Sequence, residues 1–441
     1  MFPKETGGQI RMGLDRTKQP SIRKMEDFEI QRPDHRSLSN GIDMYVVTAG
    51  TEDVIRLDFV FNGGQWNQQK PLQALFTNRM LREGSASMTS LQIAEKLDYY
   101  GAWLDLSSSA RHGFVTLYSL SKCFNQTLAV VADMIKNPAF PAKELSIVAN
   151  TNKQQFIVNS ERVDTLARKQ LNLSLFGDEH PLGRFACCDD FDRLTPDDLK
   201  NFHQEFYNSS NCTIYVSGRV SEKILKSVEA EFGHDCWGLA TPKHETLIFP
   251  AKPSLQKSVF VEKEDALQSS LKMGMLVMDQ KHEDYLKARV LVTILGGYFG
   301  SRLMSNIRED KGYTYGIGAG IVSYPDLGAM IISTEAANTY IRPVISEVYK
   351  EMDRLCQEKV SSEELEMVKN YMLGDLSRAY EGALSIVDAW IYVQTSGLDS
   401  NFFERSINAI NEVTSDEIMQ LAQKYFCKDK ICEVVAGKKV D

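Results

Sequence analysis

The chain contains two copies of one sequence pattern, TPDDLKNFHQEFYNSSNCTIYVSG at residues 195–218 and TSDEIMQLAQKYFCKDKICEVVAG at residues 414–437. The copies lie 219 residues apart and align without a gap. Each opens with a threonine followed by acidic residues, which is typical of a helix N-terminus, and continues with the spacing of an amphipathic helix. Each then passes through a polar turn into a β-branched stretch that predicts a strand. A repeat of this length predicts two similar domains.

The sequence outside the repeat shows the same mixture of helix and strand. Residues 53–61 alternate apolar and polar side chains, as a half-buried strand does, and apolar residues from Leu72 to Arg82 have helical spacing. Thr89 is positioned to cap the next helix. We therefore expect an α+β fold in which each of two similar domains packs helices against an antiparallel sheet. The predicted ranges are 1–34 for an N-terminal arm, 35–225 for the first domain, 226–244 for a linker and 245–441 for the second domain.

Composition narrows the classes of function. A formal net charge of -9 argues against a surface for nucleic acid, which needs clustered basic residues to displace counterions from phosphates. The sequence has no apolar run of about 18 residues and no secretory signal, so we expect neither membrane insertion nor export. The eight cysteines are scattered rather than arranged as a disulfide framework, which indicates a reducing compartment. These features together predict a cytoplasmic protein.

Three segments carry a resemblance to a known family: GSASMTSLQIAEKLDYYGA at residues 84–102, FGDEHPLGR at 176–184 and LGGYFGSRLMSNIREDKGYTY at 295–315. In this order they resemble the insulinase, pitrilysin and mitochondrial processing peptidase family of zinc metallopeptidases. The resemblance implies two similar α+β domains per chain. It also implies that two such chains, or one doubled chain, close around a peptide-binding chamber.

Active members of that family carry His-x-x-Glu-His on the first long helix, where two histidines bind zinc and the glutamate activates water. The resemblance places Leu75, Asn78 and Arg79 at those three positions, and Gln155 near the position of a further glutamate ligand. A leucine cannot bind zinc, an amide cannot act as a general base, and a guanidinium repels a dication. We therefore expect this chain to bind no metal of its own, and any zinc to lie in a partner subunit.

The second domain keeps residues that the resemblance connects with catalysis. Arg308 and Tyr315 match a paired arginine and tyrosine that assist cleavage at a zinc site borne by the other half of the chamber. Gly312, together with Gly63 and Gly64 in the first domain, is expected to line the path of the peptide. Without the resemblance, Arg308 is a solvated charge at a helix end, Tyr315 a packed aromatic and the glycines parts of ordinary turns.

The sequence thus predicts the non-catalytic subunit of a heterodimeric zinc metalloendopeptidase, which supports cleavage of peptide substrates by a family-related subunit carrying His-x-x-Glu-His. A catalytically inert peptide-binding or scaffold homologue is the alternative. A self-sufficient hydrolase has no support, because the sequence contains no nucleophile elbow or P-loop. When the chain is alone, a homodimer is also compatible with the sequence.

Overall fold

The computed structural model describes Thr17, residues 30–239 and residues 247–440. Most of the predicted N-terminal arm and residues 240–244 of the predicted linker lie outside the described residues. We call residues 30–239 the first half and residues 247–440 the second half.

The first half forms one mixed layer of strands with helices packed on it. Its strands are β1 (Asp34–Ser37), β2 (Asp43–Thr48), β3 (Val54–Phe61), β4 (Trp103–Ser108), β5 (Gly113–Leu120) and β6 (Cys212–Gly218), in the sheet order β1-β2-β6-β3-β5-β4. Its helices are α1 (Gln73–Met80), α2 (Ser90–Tyr99), α3 (Phe124–Lys136), α4 (Ala142–Ser160), α5 (Val163–Phe176), α6 (Cys188–Arg193), α7 (Pro196–Phe206) and α8 (Glu222–Phe232).

The second half repeats this arrangement. Its strands are β7 (Ser258–Glu262), β8 (Gln268–Val277), β9 (Thr314–Tyr324), β10 (Leu327–Ala337) and β11 (Cys432–Gly437), in the order β7-β11-β8-β10-β9. Its helices are α9 (Tyr285–Val292), α10 (Ile341–Gln357), α11 (Ser362–Arg378), α12 (Ala383–Thr395), α13 (Phe402–Glu412) and α14 (Ser415–Tyr425). The predicted α+β class with two similar sheets is confirmed.

The sheets are mostly antiparallel, as predicted, but each contains one parallel pair. Strand β6 runs parallel to β2, and β11 runs parallel to β7. In both halves a helix immediately precedes the last strand and returns the chain into the middle of the sheet. A crossover of this kind permits parallel neighbours, which a hairpin does not.

The repeated segments form equivalent elements. Thr195 accepts a hydrogen bond from the backbone of Asp198 at the start of α7, and Thr414 does the same with Glu417 at the start of α14. In both cases the acidic side chain accepts a hydrogen bond from the backbone of the threonine, which completes a capping box. Helices α7 and α14 then lead into the equivalent strands β6 and β11.

The two halves exchange a helix. Helix α5, from the first half, packs on β8 and β11 of the second sheet, while α12, from the second half, packs on β2 and β6 of the first. Trp390 of α12 lies in one cluster with Val47 and Tyr215, and Leu171 of α5 lies in another with Val434. Each sheet therefore buries one face under a helix that is distant in sequence.

The region predicted as a linker is partly structured. Helix α8 extends to Phe232, and both Val228 and Phe232 are buried in the core of the first half. Trp237 joins the same core and is stacked edge-on against Phe61. The first half thus continues beyond residue 225, because α8 covers apolar core surface. Among the described residues, no helix combines the length and the apolar character that a membrane span needs.

Candidate functional site

The α1 positions aligned with a first histidine and a catalytic glutamate are occupied by packed side chains. Leu75 contacts the apolar core of the first half. Asn78 is fully buried, and its Nδ2 group donates to the carbonyl of Phe114 at 2.9 Å and to the hydroxyl of Tyr207 at 3.1 Å. Burial raises the pKa of Tyr207, so that hydroxyl stays protonated. The amide therefore serves as a structural bridge between α1, β5 and the end of α7.

Arg79 occupies the α1 position aligned with the second histidine, and its hydrogen-bond partner is a neutral amide. Arg79 donates from Nη1 to Oδ1 of Asn152 on α4. Burial, together with the charge of Arg82, lowers the pKa of Arg79, but a guanidinium remains protonated in proteins. The side chain that faces Arg79 is thus Asn152, whereas Gln155 is exposed three residues further along α4. Sequence reasoning missed Asn152, since spacing alone does not fix which helical turn faces α1.

These residues do not fit a zinc ion. Zinc prefers histidine nitrogen, thiolate or carboxylate ligands, and this part of α1 and α4 supplies a methyl-bearing side chain, two amides and a positive charge. In the part of the chain that the structure describes, no group of three or more His, Cys, Asp or Glu side chains is arranged to hold a metal. All eight cysteines are described, and each is a free thiol.

The glycine pair of the first half is required by close packing. Gly63 and Gly64 follow the central strand β3 and are both buried. A Cβ atom on Gly63 would lie 2.4 Å from Cβ of Phe206, and one on Gly64 would lie 2.5 Å from the backbone of Arg111 and His112. The pair therefore supports the turn before α1, and neither glycine lies on a free sheet edge.

The free edge beside α1 is β4. Among the described residues this strand pairs with β5 on one side only, and α1 packs against it. A groove of about 450 Å³ separates β4 from α2, with Trp103 and Leu91 largely exposed at its rim. An extended peptide can add to such an edge through main-chain hydrogen bonds.

Arg308 and Tyr315 lie together on the surface of the second half. The guanidinium carbon of Arg308 is 4.5 Å from the ring centre of Phe299 and 5.7 Å from that of Tyr315. Tyr315 is 92% exposed and Phe299 is 62% exposed, so both rings face solvent. The ion pair of Arg308 with Glu309 is long, at 3.9 Å. The predicted pair is therefore brought together, and Phe299, which sequence reasoning did not single out, completes the cluster.

A π-helical segment, Met304–Asp310, presents this arginine. Met304 and Ile307 are buried in the core of the second half, which leaves Arg308 on the outer side. The chain then turns at Gly312, whose φ of +64° is a left-handed conformation that glycine adopts without strain. The turn leads into β9 and places Tyr315 beside Arg308. Irregular π-helical turns are frequent at functional sites.

The structure does not unite the two predicted sets of site residues. Leu75 packs against the core of the first half, whereas the segment bearing Arg308 is anchored in the core of the second half. Gly312 and Tyr315 line one surface depression with Tyr313 and Lys272. The exposed cluster is thus a separate site from the degenerate zinc positions.

Comparison with protein families gives two matches. The model described as insulinase (Peptidase family M16) matches residues 56–185, which include the degenerate zinc positions. The model described as peptidase M16 inactive domain matches residues 193–372, which include Arg308 and Tyr315. Together the two models cover most of the chain.

Individual relatives and solved structures agree with these matches. An uncharacterized zinc protease YmxG of Bacillus subtilis is 24% identical over 357 residues, which cover 80% of this chain and 85% of the relative. A non-peptidase homolog YmxG of Helicobacter pylori is 23% identical, over 87% of this chain and 89% of the relative.

A solved structure of a peptidase M16 inactive domain from Pseudomonas fluorescens superposes with a TM-score of 0.81 at 26% identity, covering 92% of this chain and 98% of that one. A protease structure from Helicobacter pylori, 16% identical, has the same fold with a TM-score of 0.80. With the family models matching both halves and no zinc-binding motif on α1, the chain belongs to the insulinase family, peptidase family M16, as a homologue of the inactive type.

Proposed function

We propose that this chain is the non-catalytic subunit of a two-chain zinc metalloendopeptidase. It contributes half of a peptide-binding chamber and the Arg308–Tyr315 pair, while a related subunit with His-x-x-Glu-His contributes the zinc. The observation that carries the proposal is the contrast between the two sites. The side chains of Asn78 and Arg79 hydrogen-bond to other side chains of the first half. Arg308 and Tyr315 instead lie side by side on the surface.

The chemistry of the pair suits the role. When water attacks a peptide carbonyl, the carbonyl oxygen becomes negatively charged, and fixed hydrogen-bond donors stabilise that charge. A guanidinium offers five N–H donors and a phenol offers one O–H donor. Both groups lie on a surface that a partner chain can approach, and neither requires a metal in this subunit.

The free edge of β4 supports peptide binding by the first half. A strand-shaped substrate pairs through its backbone and so tolerates many side chains. Because Gly63 and Gly64 are buried and face protein atoms, we assign strand addition to β4 and a scaffolding role to the glycine pair. Gly312 acts at the second site, where its turn sets the direction of β9.

Co-purification from the source cells tests the proposal. A tagged chain is isolated gently, and the eluate is assayed for accompanying chains, zinc and peptide cleavage. We expect a stoichiometric partner with His-x-x-Glu-His and one zinc per pair. In that complex, Tyr315→Phe should lower kcat by about 10²-fold, the loss typical of removing one such donor. Tyr99→Phe is the matched control, since Tyr99 is also an exposed tyrosine.

The alternative function is an inert peptide-binding or scaffold protein. It is favoured by the relative described as a non-peptidase homolog. On this alternative, Tyr315→Phe and Arg308→Ala leave the activity of any partner complex unchanged. A chain that purifies alone, without zinc and without effect on peptides, would contradict the subunit proposal.

A further inference from the structure

The guanidinium of Arg308 lies over two exposed aromatic rings, those of Phe299 and Tyr315. Phe299 is the closer of the two, with its ring centre 4.5 Å from the guanidinium carbon, against 5.7 Å for Tyr315. A planar guanidinium over an aromatic face keeps its N–H groups directed outward, around the edge of its plane. The stack therefore leaves the donors of Arg308 available while restricting the orientation of the plane.

The loop that carries Phe299 is anchored on both sides. The ring of the preceding residue, Tyr298, lies 5.0 Å from that of Tyr371, and its hydroxyl is 3.8 Å from the sulfur of Met367. On the other side, Arg302 makes a bidentate ion pair with Glu364, at 2.8 and 2.9 Å. The backbone of Phe299 is thus fixed on both sides, while its side chain is 62% exposed and lies beside Arg308.

The backbone of Arg308 is fixed from the opposite side. Asn306, in the same π-helical segment, donates to Glu347 at 3.2 Å and to Glu351 at 2.7 Å, both on α10. Both acids are largely buried, so the segment is tied firmly to that helix. The remaining freedom lies in the side chain of Arg308, because its ion pair with Glu309 is long.

We infer that Phe299 is a positioning residue for Arg308. Its ring holds the guanidinium in the orientation that a substrate carbonyl in the partner's zinc site requires. The functional part of this inference rests on the proposed function, whereas the stacking itself does not. Phe299 acts through Arg308 and need not contact the reacting atoms.

The first arm of the test measures order in the isolated chain. Arginine labelled with 15N reports the Nε–Hε group of Arg308 by NMR, and the signal is assigned by its loss in Arg308→Lys. We expect Phe299→Ala to lower the order parameter of that group and Phe299→Tyr to restore it. The same substitution at another exposed aromatic, Tyr99→Ala, should leave it unchanged. An unaltered Arg308 signal in Phe299→Ala would overturn the inference.

The second arm measures peptide cleavage by the two-chain complex. We expect Phe299→Ala to lower kcat by about 10- to 100-fold with little change in KM, since a displaced donor weakens stabilisation of the transition state. Phe299→Tyr should recover most of the rate, and the loss should not add to that of Arg308→Ala. If Tyr315→Phe lowers kcat but Phe299→Ala does not, positioning by Phe299 is refuted. If neither substitution matters, the proposed function fails, while the NMR result stands or falls by itself.

Discussion

Replacing Trp390 with alanine tests the exchange of helices between the halves. Trp390 lies on α12, is 4% exposed and packs among residues of both halves. Its indole N–H donates to the carbonyl of Gln31 at 2.9 Å, and its ring lies edge-on to Phe403. The substitution therefore removes a large apolar group and a hydrogen bond from the contact between α12 and the first half.

The expected cost follows from the buried area. A tryptophan of this kind removes about 200 Å² from water, which at about 25 cal/mol per Å² corresponds to about 5 kcal/mol as an upper estimate. Measured replacements of buried large aromatics by alanine cost about 3–5 kcal/mol. We expect the free energy of unfolding to fall by that amount. Trp103→Ala, at an exposed tryptophan on β4, should cost no more than about 0.5 kcal/mol.

The assay is urea unfolding followed by circular dichroism, combined with hydrogen exchange resolved by peptide. Although Trp390 belongs to the second half, we expect amides of β6 in the first sheet to lose protection. The reciprocal variant Leu171→Ala on α5 removes a side chain that is 1% exposed, and it should expose amides of β11 in the second sheet at a cost of about 2–5 kcal/mol. A loss below about 1 kcal/mol for Trp390→Ala, or a loss of protection confined to the half that was mutated, would refute the reasoning.

Two further predictions concern the degenerate zinc site and the buried histidine of α7. A variant with His-x-x-Glu-His restored on α1 should bind zinc when combined with Asn152→Glu but not when combined with Gln155→Glu. The reason is that Asn152 is the α4 side chain that contacts Arg79. The zinc content of the two variants after dialysis is the measurement. His203 is buried and has a pKa of about 4; burial lowers the pKa, and the hydrogen bond to the carbonyl of Ile135 raises it in part. As the pH falls, the unfolded chain binds a proton at this histidine near its ordinary pKa of 6.5, whereas the folded chain does not until the pH is much lower. The free energy of unfolding should therefore fall by about 2 kcal/mol from this group between pH 7.5 and pH 5. In His203→Gln, urea unfolding at the two pH values should show a fall that is smaller by that amount, and an unchanged pH dependence would contradict the assignment.

The sequence correctly predicted the features of the fold that depend on interactions between residues close together in the chain, such as helix N-caps. Thr89, Thr195 and Thr414 each accept the backbone hydrogen bond expected of an N-cap. Such caps involve residues three positions apart, so their outcome depends little on the rest of the chain. The repeat predicted equivalent halves for a similar reason, since the same local pattern formed the same helix and strand twice.

Long-range contacts escaped the sequence because periodicity shows that a helix has an apolar face but not which surface covers it. Helices α5 and α12 could each have packed on the sheet of their own half; only the structure shows the exchange. The contact of Arg79 with Asn152 depends on the relative rotation of α1 and α4. Phe299 gave no signal, since a phenylalanine in an apolar segment is usually interpreted as a core residue, and its stacking on Arg308 arises from the shape of the loop.

The exchanged helices also determine the order in which the newly synthesised chain can complete its cores. The first sheet is whole once Gly218 has been made, but α12 begins at Ala383, about 165 residues later. At about 5–20 residues per second, the ribosome needs roughly 8–33 s to supply it. During that interval the face containing Val47, Val60 and Tyr215 lacks its cover. We therefore expect the nascent first half to depend on chaperone shielding until translation is nearly finished, whereas the second sheet finds α5 already in place.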